Sequence, residues 1–376
     1  MEPRDVVVVG GSAGSLTPLR EMVRELPADL PGSVLVTMHV GSQARSRLPW
    51  LLARSGPLPA AHAETGEPLQ PGRIYVAPPD RHLLLSGGAV ELSNGPRVNR
   101  HRPAVDAMFA SAARWFGDRV VAVVLSGLLD DGAVGAALVA QAGGLVVAQE
   151  PAEAAQPSMP RAALAAAPDA IAVPTRKLGA VATEMMGEPG LVTWPRPERP
   201  EAEEASMERS SDLQFLSPGE TRLTRLACPE CGGALAEAIL PQTSYYRCHV
   251  GHQFGPQSLA AAQSESAEAK LWAAVAALCV SGLLRAMETF SSQLAWNDPD
   301  LIWNTLVTLV NWVGNVFLPV YAAGQVVLAA ATYVNVGHWM PGSAWLRHLT
   351  SAGLCLLASG VLRLAEFFVT RGTGGV

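Results

Sequence analysis

The sequence predicts an α/β fold in which a doubly wound, mostly parallel (Rossmann-like) sheet precedes a small zinc-ribbon-like module and a helical, apolar C-terminal tail. Three observations support this prediction. Short β-branched runs alternate with segments of helical period, a Pro- and Glu-rich stretch interrupts that pattern, and no charged residue lies between Asp300 and Arg347. Near-continuous apolar strands separated by helices are typical of a parallel sheet covered on both faces.

The individual elements of the sheet domain follow one another over residues 1 to about 185. Six short apolar runs predict strands, and three stretches between them have helical spacing. A Gly-Gly pair between two apolar runs predicts a hairpin over Arg81–Ser93. The strand candidates are Val6–Val9, Val34–Val40, Ile74–Ala77, Val120–Leu125, Leu145–Ala148 and Ala170–Val173, and the helix candidates are Leu16–Leu26, Ala104–Phe116 and Ala133–Ala142.

Composition excludes several function classes. The 376 residues include 27 Lys and Arg against 33 Asp and Glu, so no general basic field is available to bind nucleic acid. Five cysteines, three of them clustered, are too few to cross-link a secreted fold. The apolar run Val6–Val9 is too short for a signal peptide, so we expect a cytoplasmic protein.

Shifts in composition suggest four segments. Residues 1–187 form the expected sheet domain, and residues 188–225 are an acidic, Pro-rich linker with too few apolar residues to build a core. Residues 226–278 contain the clustered cysteines and a helix rich in Ala and Glu, and residues 279–376 form the apolar tail.

The first strand runs into Gly10-Gly11-Ser12-Ala13-Gly14, a Gly-x-Ser-x-Gly pattern at a strand-to-helix turn. Such a turn exposes the serine hydroxyl at the carboxyl end of the sheet, beside helix amides that can stabilise an oxyanion. A structural turn is the alternative. A dinucleotide-binding loop is disfavoured. Its Gly-x-Gly-x-x-Gly fingerprint, if it began at Gly10, would need glycine at residues 12 and 15, and both are serines.

A nucleophilic serine needs a base and an acid that orients the base. His39 lies near the carboxyl end of the next strand and is the candidate base. Asp130 and Asp131 follow the strand Val120–Leu125 and are both candidate acids, although either could instead cap the helix that begins near Ala133. Spacing does not choose between these two acids.

Several motifs together resemble the catalytic domain of the CheB family of chemotaxis protein-glutamate methylesterases. The resemblance extends from about Val6 to Met186. It implies that Ser12 is the nucleophile, His39 the base and Asp131 the orienting acid, with Ala13 and Leu128 in the oxyanion region. The motifs are Gly10–Gly14, the His39 strand, Pro71–Pro78, Asn99–Asp106, Ser126–Gly132 and Met159–Arg161.

The resemblance implies hydrolysis of methyl esters on glutamate side chains of chemoreceptor proteins and, in some members, deamidation of glutamine, with no catalytic cofactor. The expected partners are methylated chemoreceptor-type proteins. The family's Ser-Thr-Gly-Gly is here Ser12–Ser15 with an alanine at position 13, and no receiver domain precedes Val6, so control by aspartyl phosphorylation is not expected. The alternative is a non-catalytic scaffold that binds a receptor or signalling partner in the same cleft.

Asn99-Arg100-His101-Arg102-Pro103 is a second dense polar motif. We expect Arg100 and Arg102 to line the cleft and contact acidic surface on the substrate protein. The alternative is a polar loop that caps the helix beginning near Pro103.

The clustered cysteines predict a closed metal site. Cys228 and Cys231 form one CxxC pair, and Cys248 with His252 can complete a tetrahedral, structural zinc site. His252 is preferred to His249 because His249 adjoins Cys248. The alternative is a set of free or transiently oxidised thiols. The helix that follows, Ser258–Glu265, resembles one found after a similar extension in some methylesterase-like proteins.

The apolar tail contains Leu301–Val334, 34 residues without a charge, whereas roughly 20 apolar residues span a bilayer. Leu349–Val369 is a weaker candidate because it contains Arg363 and Glu366. A membrane anchor through 301–334 would hold an esterase near membrane receptors. The alternatives are a buried helical hairpin or a terminus that arises from a frame change in the gene.

Overall fold

The computed structural model describes residues 3–39, 46–187 and 221–293. The chain divides into two compact units, residues 1–263 and 264–376. The strands are β1 (Val6–Gly11), β2 (Ser33–Met38), β3 (Ala60–His62), β4 (Ile74–Val76), β5 (His82–Ser86), β6 (Ala89–Ser93), β7 (Val120–Val124), β8 (Leu145–Gln149), β9 (Ile171–Val173), β10 (Thr221–Ala227), β11 (Ala234–Ile239), β12 (Ser244–Cys248) and β13 (Gln253–Phe254). The helices are α1 (Leu16–Glu25), α2 (Leu48–Ala53), α3 (Val105–Phe116), α4 (Ala133–Gln141), α5 (Ser158–Ala166), α6 (Leu178–Met185) and α7 (Pro256–Gln293).

The main sheet has seven strands in the order β3-β4-β2-β1-β7-β8-β9, and every neighbouring pair is parallel. This arrangement confirms the predicted doubly wound α/β class. The hairpin predicted over Arg81–Ser93 forms as β5 and β6. The short edge strand β3 has no counterpart among the sequence-based candidates.

Alternate residues of β1 enter different cores, as the two-residue period of a strand requires. Val7 and Val9 pack with residues of α1, α2 and α6 on one face of the sheet. Val6 and Val8 pack with residues of α3, α4 and α5 on the other face. The central strand is therefore buried on both sides, which explains its unbroken run of valines.

The chain reverses its winding direction beside β1. From β1 it proceeds to β2 and β4 on one side, and then returns to β7 on the other side. In doubly wound sheets, the carboxyl ends of the strands at such a switch point border the ligand crevice. The loops after β1, β2 and β7 thus meet at one place.

A separate four-stranded antiparallel sheet, β10-β11-β12-β13, follows in the first unit. Its first strand begins at Thr221, within the stretch that the sequence assigns to the linker. Leu235, Phe254 and Leu259 form its small core together with two of the cysteines. Residues 221–258, called the Cys/His module below, include this sheet and the start of α7.

Within the described ranges, no helix combines the length and the apolarity needed to cross a bilayer. The rest of the predicted linker, residues 188–220, lies outside the described residues. Both apolar candidate segments of the tail, 301–334 and 349–369, also lie outside them, so a membrane anchor there stays a prediction.

Candidate active site

Ser12 sits in a tight turn between β1 and α1. Its backbone N–H donates to the carbonyl of Ser126 at 2.9 Å, and the Ser15 hydroxyl donates to the Ser12 carbonyl at 2.6 Å. The Ser126 hydroxyl donates to the carbonyl of Ala13 at 2.7 Å. These bonds join the turn to the loop after β7 and hold the Ser12 side chain at the carboxyl end of the sheet.

His39 follows β2 and faces this serine. Its backbone N–H donates to the carbonyl of Gly11 at 3.2 Å, which continues the parallel pairing of β1 with β2. The His39 Nδ1 lies 3.0 Å from the Ser12 Oγ, and the His39 Nε2 lies 2.6 Å from an Asp131 oxygen. The three side chains therefore form a continuous hydrogen-bonded line.

Asp131 is buried and held by several donors. One carboxylate oxygen accepts from His39 and from the Val105 N–H at 2.7 Å, and the other accepts from the Asp106 N–H at 3.0 Å and the Asn99 amide at 2.8 Å. Burial by itself would raise the pKa of Asp131, but the hydrogen bond and charge of His39 and the other donors hold that pKa below its ordinary value.

The ionised state of Asp131 determines the tautomer of His39. A carboxylate can only accept, so the His39 Nε2 carries the hydrogen, and its Nδ1 presents a lone pair to the Ser12 hydroxyl. The imidazole is thus oriented to take the proton of Ser12. This is the arrangement that makes a serine hydroxyl nucleophilic.

Asp130, the other candidate acid, points elsewhere. Its carboxylate accepts from the backbone N–H groups of Gln257 (2.7 Å) and Ser258 (3.0 Å) and from the Ser258 hydroxyl, at the start of α7. Its backbone carbonyl accepts from the Ala133 N–H. Burial raises the pKa of Asp130. Its side chain therefore caps a helix of the Cys/His module, whereas Asp131 faces His39.

The sequence motif Asn99–Asp106 contributes three residues whose positions were not anticipated. His101 stacks on His39 with ring centroids 3.6 Å apart, and burial lowers its pKa to about 4, so it is neutral at neutral pH. Asn99 donates to Asp131 and, at 2.7 Å, to Asp106. Asp106 is fully buried, and burial raises its pKa. The density of polar residues was the only signal for this role.

The backbone amides of Ala13 and Leu128 are the predicted oxyanion donors. Neither donates to an acceptor within the described part of the chain. Leu128 follows Gly127, where an added Cβ would lie 2.9 Å from the Ser12 Cβ, so the two loops are in close contact. A tetrahedral intermediate needs such donors beside the nucleophile, and donation by these two amides stays a prediction.

Residues 7–181 match the family model described as CheB methylesterase. The chain contains a CheB methylesterase domain. This part of the chain includes Ser12, His39 and Asp131 together with the seven-stranded sheet.

Proteins named "Protein-glutamate methylesterase/protein-glutamine glutaminase" share sequence with this domain. One from Anaeromyxobacter dehalogenans is 39% identical over 160 residues, covering 43% of this chain and 47% of the relative. One from Caulobacter vibrioides is 39% identical over 165 residues, covering 43% and 48%. The chain thus spans about half the length of the curated relatives it matches.

A solved structure also resembles the methylesterase domain. The catalytic domain of the CheB methylesterase of Thermotoga maritima is 30% identical, with a TM-score of 0.46. The match covers 48% of this chain and 98% of that structure.

The two arginines predicted to contact substrate both have partners. Arg102 donates to Asp80 at 2.9 and 3.0 Å and to the carbonyls of Asn94 and Gly95. Arg100 is more exposed, and its Nε lies 3.7 Å from a Glu230 oxygen in the Cys/His module. Arg102 is thereby tied into the methylesterase domain, and Arg100 extends toward the module. Substrate contact by either side chain stays a prediction.

The predicted metal ligands Cys228, Cys231, Cys248 and His252 lie together, with their ligand atoms within 4.8 Å of one another. The sulfurs of Cys231 and Cys248 are 3.6 Å apart, and the His252 Nδ1 is 3.5 Å from the Cys248 sulfur. Bonds of about 2.3 Å to sulfur and about 2.0 Å to nitrogen at tetrahedral angles require a sulfur–sulfur separation of about 3.8 Å and a sulfur–nitrogen separation of about 3.5 Å. The donor set therefore fits a four-coordinate metal.

His249 lies outside this cluster. An added Cβ at Gly233 would lie 2.5 Å from the His249 Nδ1, so the imidazole packs over the CxxC turn. Gly232 and Gly251 have φ values of 74° and 104°, which permits the tight turns after Cys231 and before His252. Two such turns direct all four ligands to one point.

Proposed function

We propose that this chain is a serine hydrolase that removes methyl esters from glutamate side chains of chemoreceptor-type proteins. The observation that carries the proposal is the line of Ser12, His39 and Asp131, with separations of 3.0 and 2.6 Å. The names of the relatives that match the methylesterase domain favour this substrate over other esters. We place the reaction in the cytoplasm, where methylated receptor segments would be accessible.

In the proposed reaction, the Ser12 Oγ attacks the ester carbonyl carbon, and the His39 Nδ1 accepts the proton of the Ser12 hydroxyl. The amides of Ala13 and Leu128 stabilise the negative oxygen of the tetrahedral intermediate. The C–O bond to the methoxy group then breaks, and His39 returns the proton so that methanol leaves. Asp131 stabilises the imidazolium throughout.

Water completes the cycle. His39 deprotonates a water molecule that attacks the acyl-Ser12 ester. The bond to the Ser12 Oγ then breaks, His39 returns the proton to that oxygen, and the glutamate side chain leaves as a carboxylate after losing its own proton to solvent. The same steps convert glutamine to glutamate when the leaving group is ammonia instead of methanol. We therefore include glutamine deamidation in the proposal.

We further propose that the Cys/His module binds one structural zinc through Cys228, Cys231, Cys248 and His252. The donor set and its separations support this, because mixed sulfur and nitrogen ligation without an open position is typical of structural zinc. Bound zinc would stabilise the module by joining two turns that share only a small apolar core.

The proposed activity is tested by methanol release from a methylated receptor, comparing the parent with Ser12→Ala, His39→Ala and Asp131→Asn. We expect no detectable release with Ser12→Ala, and about 10³- to 10⁴-fold slower release with Asp131→Asn, because the amide stabilises the wrong tautomer of His39. The matched control is Asp169→Asn, which alters an exposed carboxylate and should leave the rate unchanged. Release by a folded Ser12→Ala protein would contradict the proposal.

A further inference from the structure

The turn Val98–His101 carries two contacts to the triad. The Asn99 amide holds Asp131, and the His101 ring stacks on His39. The His101 N–H donates to the Val98 carbonyl at 2.9 Å, and both central residues have positive φ, 51° for Asn99 and 68° for Arg100. These values describe a type I′ turn, which is unfavourable for arginine. Such a turn persists when surrounding contacts hold it.

Those surrounding contacts come from the Cys/His module. The Asn99 N–H donates to the Gln253 carbonyl at 2.8 Å, and the Gln253 N–H donates to the Arg97 carbonyl at 3.3 Å. The Gly255 N–H donates to the Asn99 Oδ1 at 2.7 Å. Both sides of the turn are thus engaged, one by the triad and the other by residues 253–255.

The orientation of the Asn99 side-chain amide determines which of its atoms can bind the Gly255 N–H. Its Nδ2 group lies between Asp131 and Asp106 and donates to both carboxylates. Its Oδ1 must then face the opposite way, and Asn99 is 1% exposed, so water cannot easily supply the donor. The Gly255 N–H supplies it. Loss of this bond would leave a buried acceptor unpaired or allow the amide to rotate.

Asp130 anchors the same segment from the methylesterase domain. Its carboxylate binds the first N–H groups of α7 at Gln257 and Ser258, where a negative charge is favourable. An added Cβ at Gly255 would lie 2.5 Å from an Asp130 oxygen, so the segment and the carboxylate are in tight contact. Asp130 therefore binds the module, and the next residue, Asp131, binds His39.

We propose that the Cys/His module positions the catalytic acid: residues 253–258, anchored on Asp130, hold Asn99 so that its amide orients Asp131 toward His39. Asn99 and Gly255 are positioning residues, since neither contacts the reacting atoms. The inference deepens the proposed hydrolase function and rests on it. It assigns the module a role in the reaction besides any role in recognising a partner.

The test measures the rate at which a fluorophosphonate labels Ser12 in the full chain. Gly255→Ala places a methyl group against Asp130, and we expect labelling to slow about 10-fold or more. Ser258→Ala removes only the hydroxyl bond to Asp130 and should slow labelling less. Ser266→Ala, a serine further along α7, is the matched control and should label at the parent rate.

A double-mutant cycle identifies the route. If the module acts through Asn99, the variant carrying both Gly255→Ala and Asn99→Ala should label no more slowly than Asn99→Ala alone. If the fold-decrease in the double variant equals the product of the fold-decreases in Gly255→Ala and Asn99→Ala, the two residues act independently and the proposal is overturned. Parent-like labelling by both Gly255→Ala and Ser258→Ala would also overturn it.

The chemical shift of the proton on the His39 Nε2 reports on its hydrogen bond to Asp131, and general destabilisation of the fold would not change it. Its low-field NMR resonance, assigned by its loss in His39→Ala, should shift in folded Gly255→Ala and stay unchanged in Ser266→Ala. An unchanged resonance in Gly255→Ala would overturn the positioning role. If the folded parent is not labelled by the fluorophosphonate, the hydrolase function is contradicted. The His39 resonance would then still test whether the module orients Asp131.

Discussion

Asp130 and Asp131 are adjacent in sequence, yet their carboxylates bind different parts of the molecule. Asp131 accepts from His39, Asn99 and two backbone amides, and Asp130 accepts from the first turn of α7. Both are 2% exposed, so each would be costly to bury without these donors. At the scale of single residues, the number and charge of the hydrogen-bond donors around each carboxylate decide its role.

Two buried imidazoles should make stability depend on pH. His82 is fully buried and His101 largely so, and burial lowers the pKa of each to about 4. Because the unfolded chain binds these protons from about pH 6.5 downward and the folded chain does not, stability should fall as pH falls from about 6.5 to about 4. Each imidazole contributes a slope approaching about 1.4 kcal/mol per pH unit.

Urea unfolding between pH 7.5 and 4.5, followed by circular dichroism, checks this expectation. His82→Gln removes one of the two imidazoles and should lose less stability than the parent below pH 6.5, whereas the two proteins should change in parallel above pH 7. An equally steep loss in the variant would show that His82 does not remain neutral in the folded protein.

At the scale of elements, the turn between β1 and α1 depends on glycine. Gly14 has a φ of 81°, and an added Cβ would lie 2.6 Å from the Ala155 Cβ and 2.8 Å from the Ser126 Oγ. The left-handed backbone and the lack of space both exclude a side chain. The turn can hold Ser12 beside His39 only because residue 14 has no side chain.

The pair Gly14→Ala and Gly66→Ala separates these two causes. Gly66 has a similar φ of 85°, but an added Cβ there meets nothing within 4 Å. We expect Gly66→Ala to lower the free energy of unfolding by about 1–2 kcal/mol without affecting fluorophosphonate labelling of Ser12. Gly14→Ala should destabilise more and slow labelling about 100-fold. Equal labelling by the two variants would mean that the turn adjusts without moving Ser12.

At the scale of the whole molecule, the first unit contains a parallel sheet and, besides the β5–β6 hairpin, a four-stranded antiparallel sheet of different construction. The parallel sheet has large cores on both faces. The Cys/His module contributes Ala238, Leu240 and Tyr245 to one of them, and its own small core includes Cys228 and Cys248. The proposed zinc would add to the stability that this small core provides. Because residues 253–258 follow His252 directly, order at the metal site and order at Asn99 should be linked.

Metal analysis of reduced, purified protein tests the zinc proposal. We expect about one zinc per chain, and Co²⁺ substitution should produce thiolate-to-cobalt charge-transfer absorption with the d–d bands of a tetrahedral site. Cys248→Ser should lose the metal and increase hydrogen exchange in residues 97–101. Cys355→Ser, which alters a cysteine far along the sequence from the cluster, is the control. Metal-free protein with a folded module would contradict the proposal.

The sequence alone supported the fold class and the candidate residues, because their signals are local. Valine runs, glycine turns and the spacing of Cys228, Cys231, Cys248 and His252 reflect neighbouring residues and short loops. The position of Ser12 after β1 likewise follows from one strand and one helix. These patterns could be recognised without knowledge of how distant segments pack.

Only the tertiary structure decided which contacts these residues make. Spacing did not choose between Asp130 and Asp131, and only the family resemblance favoured Asp131. Their different partners, α7 and His39, depend on segments more than 90 residues away in the chain. The engagement of Asn99 by Gly255 joins residues 156 positions apart. Buried polar groups take whichever donors the packed fold brings to them, and no local pattern encodes that choice.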